Sequence, residues 1–213
     1  MWQKNGPALF LPAEKLSAGK HTVELEFSGT GALYWNGTLQ YFSLEDRMEP
    51  AGLEMKIRRN YYRLVPESDA GALLAGKRGA AVAEKVLKYN RILLKDGETV
   101  RPGDLLEVEL ISTAKNDYDY VVFQDAMPAG FVYENPVSGW KWSWAAPMYA
   151  EYKERGARFY LRNMARGESN AFYRIRAQLC GTVTALPARG YGIYAPELKC
   201  NSAQQTLRTM DEK

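Results

Sequence analysis

Two stretches in the C-terminal half of the chain decide the fold: AKNDYDYVVFQDAMPAGFVYE (Ala114–Glu134) and FYRIRAQLCGTVTALPARGYGIYAPELKCNS (Phe172–Ser202). Each contains an apolar run that leads into a corner rich in proline and glycine. In the second stretch, Ile175 stands between Arg174 and Arg176, and the alternation continues on both sides. Such a period of two is typical of a strand with one buried face, whereas proline and glycine mark turns. Both stretches therefore predict strands that end in sharp corners.

The same pattern recurs along the rest of the C-terminal region. Strands are predicted at Leu53–Arg59, Leu106–Leu110, Tyr120–Gln124, Tyr149–Lys153, Arg158–Arg162 and Ala171–Leu179. Turn signals separate them at intervals of roughly 10 residues, without the strand–helix alternation of a parallel sheet. This arrangement predicts an all-β protein whose main part is an immunoglobulin-like antiparallel β-sandwich.

The N-terminal region predicts a small β-meander. Residues His21–Phe27 alternate between apolar and polar, and the segments ALYW and TLQYF flank Asn36-Gly37, a pair that suits a two-residue hairpin turn. The polar segment LEDRMEPAG (Leu44–Gly52) follows and is typical of a linker. We therefore predict a meander over residues 1–45 and a sandwich over residues 46–213.

One segment within the sandwich lacks a clear period. Residues 66–91 are rich in alanine, glycine and lysine. They predict a loop or insertion, with a short helix around Ala80–Lys88.

Composition excludes several classes of protein. The 213 residues carry 28 basic and 25 acidic side chains, and this near balance does not favour a nucleic-acid partner. No apolar run reaches the length of about 18 residues that a transmembrane helix needs, and the N-terminus has no apolar segment of signal-peptide length. A chain of this size can bury a core without a metal or a disulfide.

No motif in the sequence predicts catalysis, a cofactor or a metal. The segment GALLAGKR (Gly71–Arg78) resembles a phosphate-binding loop, but Arg78 stands where a Ser or Thr should bind magnesium. The only histidine, His21, has no nucleophile motif nearby. Asp117 and Asp119 lack the spacing of a calcium loop. We therefore predict a protein that is not an enzyme and needs no cofactor.

The two cysteines, Cys180 and Cys200, leave two interpretations open. They are either separate thiols or a disulfide that closes the last long loop, which would contribute about 3 kcal/mol. Neither belongs to a Cys-x-x-Cys pair, and one histidine cannot complete a zinc site with them.

Three tryptophans lie at alternate positions: Trp140, Trp142 and Trp144. An extended backbone places all three indoles on one face. If exposed, they form an aromatic binding face that could stack on sugar rings. If buried, they pack on the sandwich core with their N–H groups hydrogen-bonded. The residues alone leave both interpretations open.

Three phrases of this sequence resemble the C-terminal domain of bacterial alpha-2-macroglobulins. They are D-x-x-PAGF (Asp125–Phe131), YRIRA (Tyr173–Ala177) and YAPEL followed by NS (Tyr194–Ser202). VRPGDLLEVEL (Val100–Leu110) also looks like a strand entry of that family. Ser138-Gly139-Trp140-Lys141-Trp142 is similar to one of its turns, and this resemblance favours packing of the tryptophans on the core. The resemblance covers residues 53–209. Residues 9–42 resemble the closing strands of the CUB-like domain of that family, so the predicted meander would be a partial CUB-like domain.

The resemblance implies a role in a very large protein that inhibits proteases by trapping them. The chain would be its non-catalytic C-terminal structural and interaction domain, with the other domains of the parent as partners and proteases reached through the parent. Members of the family are exported to the bacterial periplasm or cell envelope, where they act in defence. Neither Cys180 nor Cys200 starts the Cys-x-x-Gln pattern of the family thioester, so the trapping chemistry would lie elsewhere in the parent.

A second function remains open. The chain is alternatively a stand-alone β-sandwich at the cell surface that binds carbohydrate through Trp140, Trp142 and Trp144. An assembly or adhesion module is a third interpretation.

Overall fold

Among the described residues, regular structure is almost wholly β-strand. The computed structural model describes residues 10–17, 19–32, 47–67, 74–75, 81–82, 88–142, 147–195 and 197–211. The chain divides into two units, Met1–Gln40 and Tyr41–Lys213.

The described part of the first unit has one short 3-10 turn, at Ala13–Lys15, and no strand. The strand predicted at His21–Phe27 was wrong. Val23, Leu25 and Phe27 are 63%, 50% and 48% exposed on an irregular backbone. A strand needs a lateral partner for its N–H and C=O groups, and none is present in the described residues of this unit. The hairpin predicted around Asn36-Gly37 lies outside those residues, so the partial CUB-like meander stays a prediction.

The second unit is built mainly from antiparallel strands. Within the described residues they are β1 (Ala51–Gly52), β2 (Met55–Pro66), β3 (Leu74–Ala75), β4 (Ala81–Val82), β5 (Tyr89–Leu93), β6 (Thr99–Val100), β7 (Leu105–Ala114), β8 (Tyr118–Ala126), β9 (Phe131–Tyr133), β10 (Gly139–Trp142), β11 (Pro147–Lys153), β12 (Gly156–Met164), β13 (Gly167–Ala177), β14 (Gly181–Ala185), β15 (Arg189–Gly192), β16 (Lys199–Asn201) and β17 (Gln205–Thr209). A seven-stranded sheet has the order β1-β16-β15-β8-β12-β11-β10, and a five-stranded sheet has the order β5-β2-β7-β13-β9. A three-stranded sheet, β14-β17-β6, includes a parallel pair, β17 with β6.

The two large sheets pack face to face, which confirms the immunoglobulin-like β-sandwich. Alternate residues of each strand face the other sheet, as the period of two requires. In β13, Ala171, Tyr173, Ile175 and Ala177 are buried, while Arg174 is exposed. The core contains apolar side chains from both sheets and from the three-stranded sheet, among them Tyr61, Leu106, Phe123, Phe159 and Leu207.

One buried ion pair crosses this core. Arg59 of β2 donates from Nη1 to Asp125 Oδ1 of β8 over 2.6 Å, and both side chains are wholly buried. Tyr173 of β13 donates to the other carboxylate oxygen over 2.7 Å. The guanidinium also donates to the carbonyl oxygens of Ala185 and Leu186. These bonds connect both large sheets to the corner between β14 and β15.

Burial raises the pKa of both acidic groups that bond within this cluster, Asp125 and Tyr173. Desolvation raises the pKa of Asp125, although Arg59 and Tyr173 favour its charged form. Desolvation also raises the pKa of Tyr173 well above its ordinary value. Tyr173 therefore remains a neutral hydrogen-bond donor to the carboxylate.

Three details of the sandwich differ from the prediction. Leu53, placed with the buried side of a strand, is 75% exposed, and β2 begins only at Met55. Ala81 and Val82, at the start of the predicted short helix, instead form a short strand with Leu74 and Ala75, and residues 83–87 lie outside the described part of the chain. Tyr89–Leu93 pairs with the end of β2, so part of the predicted loop belongs to the five-stranded sheet.

Candidate interaction surface

The outer face of the seven-stranded sheet carries a row of aromatic side chains in register across its strands. Trp140 lies opposite Tyr149, which lies opposite Tyr160. The row continues through Val122 to Tyr191. Residues directly opposite each other in antiparallel strands point to the same face. We call the set Trp140, Tyr149, Tyr160 and Tyr191 the aromatic row.

The rings of this row touch without forming a closed stack. The centroids of Trp140 and Tyr149 are 5.8 Å apart with planes at 79°, and those of Tyr149 and Tyr160 are 6.4 Å apart. Trp140 is 67% exposed and Tyr149 is 39% exposed, whereas Val122 is buried beneath its neighbours. Aromatic side chains combine a large apolar surface with a polar tip, which is why they are frequent in binding surfaces.

A local turn at Ser138-Gly139 precedes Trp140, the first residue of the aromatic row. Gly139 has a φ of +145°, a conformation that side chains other than glycine rarely adopt. Ser138 Oγ accepts a hydrogen bond of 3.0 Å from the backbone N–H of Tyr152. Together they fix the start of β10 against β11.

A second row, of polar side chains, runs beside the aromatic row. Glu151, Arg158, Gln124 and Arg189 lie opposite one another in successive strands. Glu151 accepts from Tyr160 Oη over 3.1 Å and pairs with Lys153 at 3.0 Å. The Lys153 hydrogen bond is the main cause that lowers the pKa of Glu151. We call Glu151, Arg158, Gln124 and Arg189 the polar row.

The prediction that the tryptophans pack on the core was wrong for Trp140 and Trp142. Both point to the outer face of the edge strand β10, and Trp142 is 86% exposed. Trp144 lies outside the described residues. The period of two correctly predicted that the indoles of Trp140 and Trp142 lie on one face of β10. That face, however, is the solvent-exposed one.

Polar and charged groups on the outer face of the five-stranded sheet bond to one another. Arg91 lies 4.1 Å from the Tyr62 ring centroid and 2.9 Å from Glu107. Glu109 accepts from Tyr62 Oη over 2.8 Å and also from Asn60. These groups satisfy one another, whereas the aromatic row has open rings. The seven-stranded sheet is therefore the better candidate for contact with a partner.

Both cysteines are free thiols in this structure. Cys180 is exposed next to β14, and Cys200 is buried in β16 against Gly190 of β15. Burial raises the pKa of the Cys200 thiol to about 11. The structure therefore has the separate thiols of the first interpretation and not the disulfide.

The acidic residues and the histidine weighed in the sequence analysis have structural partners. Within the described residues, no three His, Cys, Asp or Glu side chains cluster as metal ligands would. Asp117 accepts from the Arg166 backbone N–H, and Asp119 accepts from Asn163, so both carboxylates support the β8–β12 corner. In the first unit, His21 hydrogen-bonds the Ser17 carbonyl. The phosphate-loop segment lies mostly outside the described residues.

The sequence predicts no transmembrane helix. In the part of the chain that the structure describes, no helix is long and apolar enough to cross a membrane.

The fold and the open aromatic face define the class of this protein: an immunoglobulin-like β-sandwich domain with a candidate interaction surface. The family model of the bacterial alpha-2-macroglobulin MG10 domain matches residues 81–197, more than half of the chain. The chain belongs to this family. The comparison with curated protein sequences gave no match.

Solved structures show the same fold. Trypsin-activated alpha-2-macroglobulin from Escherichia coli superposes with a TM-score of 0.54 and 16% identity, over 77% of this chain and 11% of that one. Salmonella alpha-2-macroglobulin reacted with methylamine gives a TM-score of 0.53 and 16% identity, over 77% of this chain and 10% of that one.

A match to a shorter Escherichia coli chain limits the similar region to the C-terminal part of that protein. That native fragment spans domain MG7 to the C-terminus, and the match has a TM-score of 0.52 and 16% identity, over 76% of this chain and 24% of the fragment. The chain thus corresponds to about a tenth of the longer relatives. It is a structural domain of the alpha-2-macroglobulin type.

Proposed function

We propose that this chain is the non-catalytic C-terminal structural and interaction domain of a bacterial alpha-2-macroglobulin-like protease inhibitor. The match of residues 81–197 to the MG10 domain carries the proposal. The relatives whose structures are similar include alpha-2-macroglobulins from Escherichia coli activated by trypsin and by porcine elastase. Proteases would therefore be bound by the parent protein, and this domain would contact the parent's other domains.

The physical character of the sandwich supports this role. The buried Arg59–Asp125 pair joins the two sheets and gives a rigid scaffold. Large aromatic side chains lie exposed on one sheet, where contact with another surface would bury them. A domain that positions its neighbours needs both features.

The location and the biological role follow from the same proposal. Bacterial alpha-2-macroglobulins suggest an exported protein, and we place this one in the periplasm or cell envelope. There the parent would defend the cell against foreign proteases.

The proposal predicts that the chain alone does not inhibit a protease. We expect trypsin to keep its full activity on a small chromogenic substrate, within about 10%, when the purified chain is present at a tenfold molar excess. A domain without bait or reactive group has no means of blocking the active site of the enzyme. Bovine serum albumin at the same concentration controls for non-specific effects, and a small peptide inhibitor controls for the sensitivity of the assay.

Inhibition near one chain per trypsin would contradict the proposal. It would show that the sandwich itself fits into the active site. Circular dichroism before and after the assay verifies that the chain stays folded, and denaturing gel electrophoresis verifies that it stays uncleaved.

A further inference from the structure

The first half of β2 has a strand beside it on one edge only. β7 pairs with residues 55–63 of β2, whereas β5, on the other edge, pairs with residues 62–66. On that second edge the Tyr61 carbonyl still accepts a hydrogen bond of 2.8 Å from the Leu94 N–H. Before Tyr61, no strand among the described residues lies along this edge, which we call the free edge of β2.

Four backbone groups on the free edge are available for hydrogen bonding. In an antiparallel strand the N–H and C=O groups of alternate residues point to the same edge. Those of Ile57 and Arg59 therefore point away from β7, as the Tyr61 carbonyl does. No residue that the structure describes bonds to these four groups. Since the backbone of another extended chain is what completes a strand edge, the free edge selects a polypeptide.

A cleft beside the free edge has room for such a chain. Its volume is about 560 Å³, within the range of about 300–1,000 Å³ that is usual for ligand sites. Besides β2, its lining includes Ala51 and Gly52 of β1, Asn201 of β16, and Ala203. Most of these side chains are small, so the cleft can accept the side chains that an added strand points inward.

The charges at the free edge determine the kind of polypeptide. Lys56 and Arg58 line the cleft and are exposed on β2, and neither has an acidic partner in the described part of the chain. The described lining also contains Glu168, but this residue belongs to β13, which β7 separates from β2. Opposite charges on neighbouring strands attract. Acidic side chains opposite Lys56 and Arg58 would therefore stabilise an added strand.

The same charges disfavour a second copy of this chain at the free edge. The segment KIRRN (Lys56–Asn60) contains no acidic residue. Two such edges paired with each other would bring the Lys56 and Arg58 side chains of both copies together on one face, and like charges on neighbouring strands are destabilising. The partner must therefore differ from β2 in the sign of its charge.

We propose that the free edge of β2 binds an extended acidic peptide segment, which adds a strand to the five-stranded sheet in line with β5. The backbone of the segment bonds to Ile57 and Arg59. Because side chains alternate along a strand, acidic residues at every second position face Lys56 and Arg58, and the residues between them face the cleft. The inference does not rest on the proposed function, since protease inhibition and peptide binding are measured separately and can fail independently.

The test is titration of a capped, fluorescein-labelled heptapeptide of alternating valine and glutamate with the full chain, followed by fluorescence anisotropy. We expect saturable binding. The double variant Lys56→Glu, Arg58→Glu should weaken it tenfold or more, and should bind the matching valine–lysine peptide more tightly than the unaltered chain does. Arg162→Glu, a matched control at an exposed cation of β12, should change the affinity by less than twofold.

Two modified peptides separate strand addition from charge attraction alone. N-methylation of the valines removes the donors that face Ile57 and Arg59, so it should abolish binding. N-methylation of the glutamates alters N–H groups that point away from β2, so the affinity should stay within threefold of that of the unmodified peptide. Circular dichroism verifies that each protein variant is folded.

Three results would overturn the inference. They are the absence of saturable binding of the valine–glutamate peptide, equal binding by the double variant, and equal binding of the two N-methylated peptides. The last result would show charge attraction without an added strand. Sedimentation velocity tests the other occupant: a dimer that the acidic peptide dissociates would assign the free edge to a second copy and would also refute the inference.

Discussion

Replacement of Asp125 by alanine is expected to lower the free energy of unfolding by about 3–5 kcal/mol, since it leaves the Arg59 charge buried without its counter-ion. The Nη1–Oδ1 distance is 2.6 Å, and neither side chain is exposed. Tyr173 also loses its acceptor, at 2.7 Å. This loss is a large fraction of the stability of an ordinary domain.

Urea unfolding followed by circular dichroism measures this effect. Lys115→Ala is the matched control, because Lys115 forms an exposed pair with Glu54 at 3.4 Å. We expect a loss of less than about 1 kcal/mol there. If Asp125→Ala also costs less than 1 kcal/mol, the ion pair does not connect the sheets as described.

Replacement of Phe159 by alanine is expected to cost a similar 3–5 kcal/mol. Phe159 of β12 is 1% exposed. Its ring centroid lies 6.2 Å from that of Tyr152 and 6.1 Å from that of Tyr173. Removal of the ring leaves a cavity between the sheets and removes these aromatic contacts.

Phe172→Ala is the matched control, because it removes the same side chain from an exposed position. Phe172 is 40% exposed on the outer face of β13, so its removal should cost about 1 kcal/mol or less. The measurement is again the free energy of unfolding in urea. Equal losses for the two variants would contradict the assignment of Phe159 to the core.

Much of the sandwich could be predicted from the sequence because its strands alternate strictly. The predicted strand Ala171–Leu179 overlaps β13, which ends at Ala177, and Leu106–Leu110 lies within β7. In β13 one buried face imposes the period of two. In β7 the apolar residues Leu106, Val108 and Leu110 alternate as well, although both faces of this strand are largely buried. The N-terminal strand failed because alternation alone does not supply a partner: Val23 and Leu25 are apolar at the right spacing but remain exposed.

The alternation of apolar residues also indicates that Arg59 and Asp125 are buried, although neither was predicted in the core. Arg59 has the same parity as Met55 and Ile57, which places it on the buried side of β2. Asp125 has the parity of the buried Phe123. The sequence does not indicate, however, that Arg59 and Asp125 are in contact. They lie 66 positions apart, and their contact depends on how the two sheets pack.

The aromatic row shows a second limit. The alternation of Trp140 and Trp142 predicts a shared face, but it does not state which face of an edge strand is buried. That choice depends on β11, where Met148 and Ala150 face the core and Tyr149 does not. The match with Tyr160 across two strand pairs is a property of register, which the separate strand sequences do not contain.

The central claim is that this chain is a domain of a much larger protease inhibitor. An immunoblot of extracts from the native host, with an antibody raised against residues 47–213, tests it most directly. The account predicts a band many times heavier than the 24.1 kDa of this chain, because the longer relatives are about ten times its matched length. A band at 24.1 kDa, without any larger species, would contradict it.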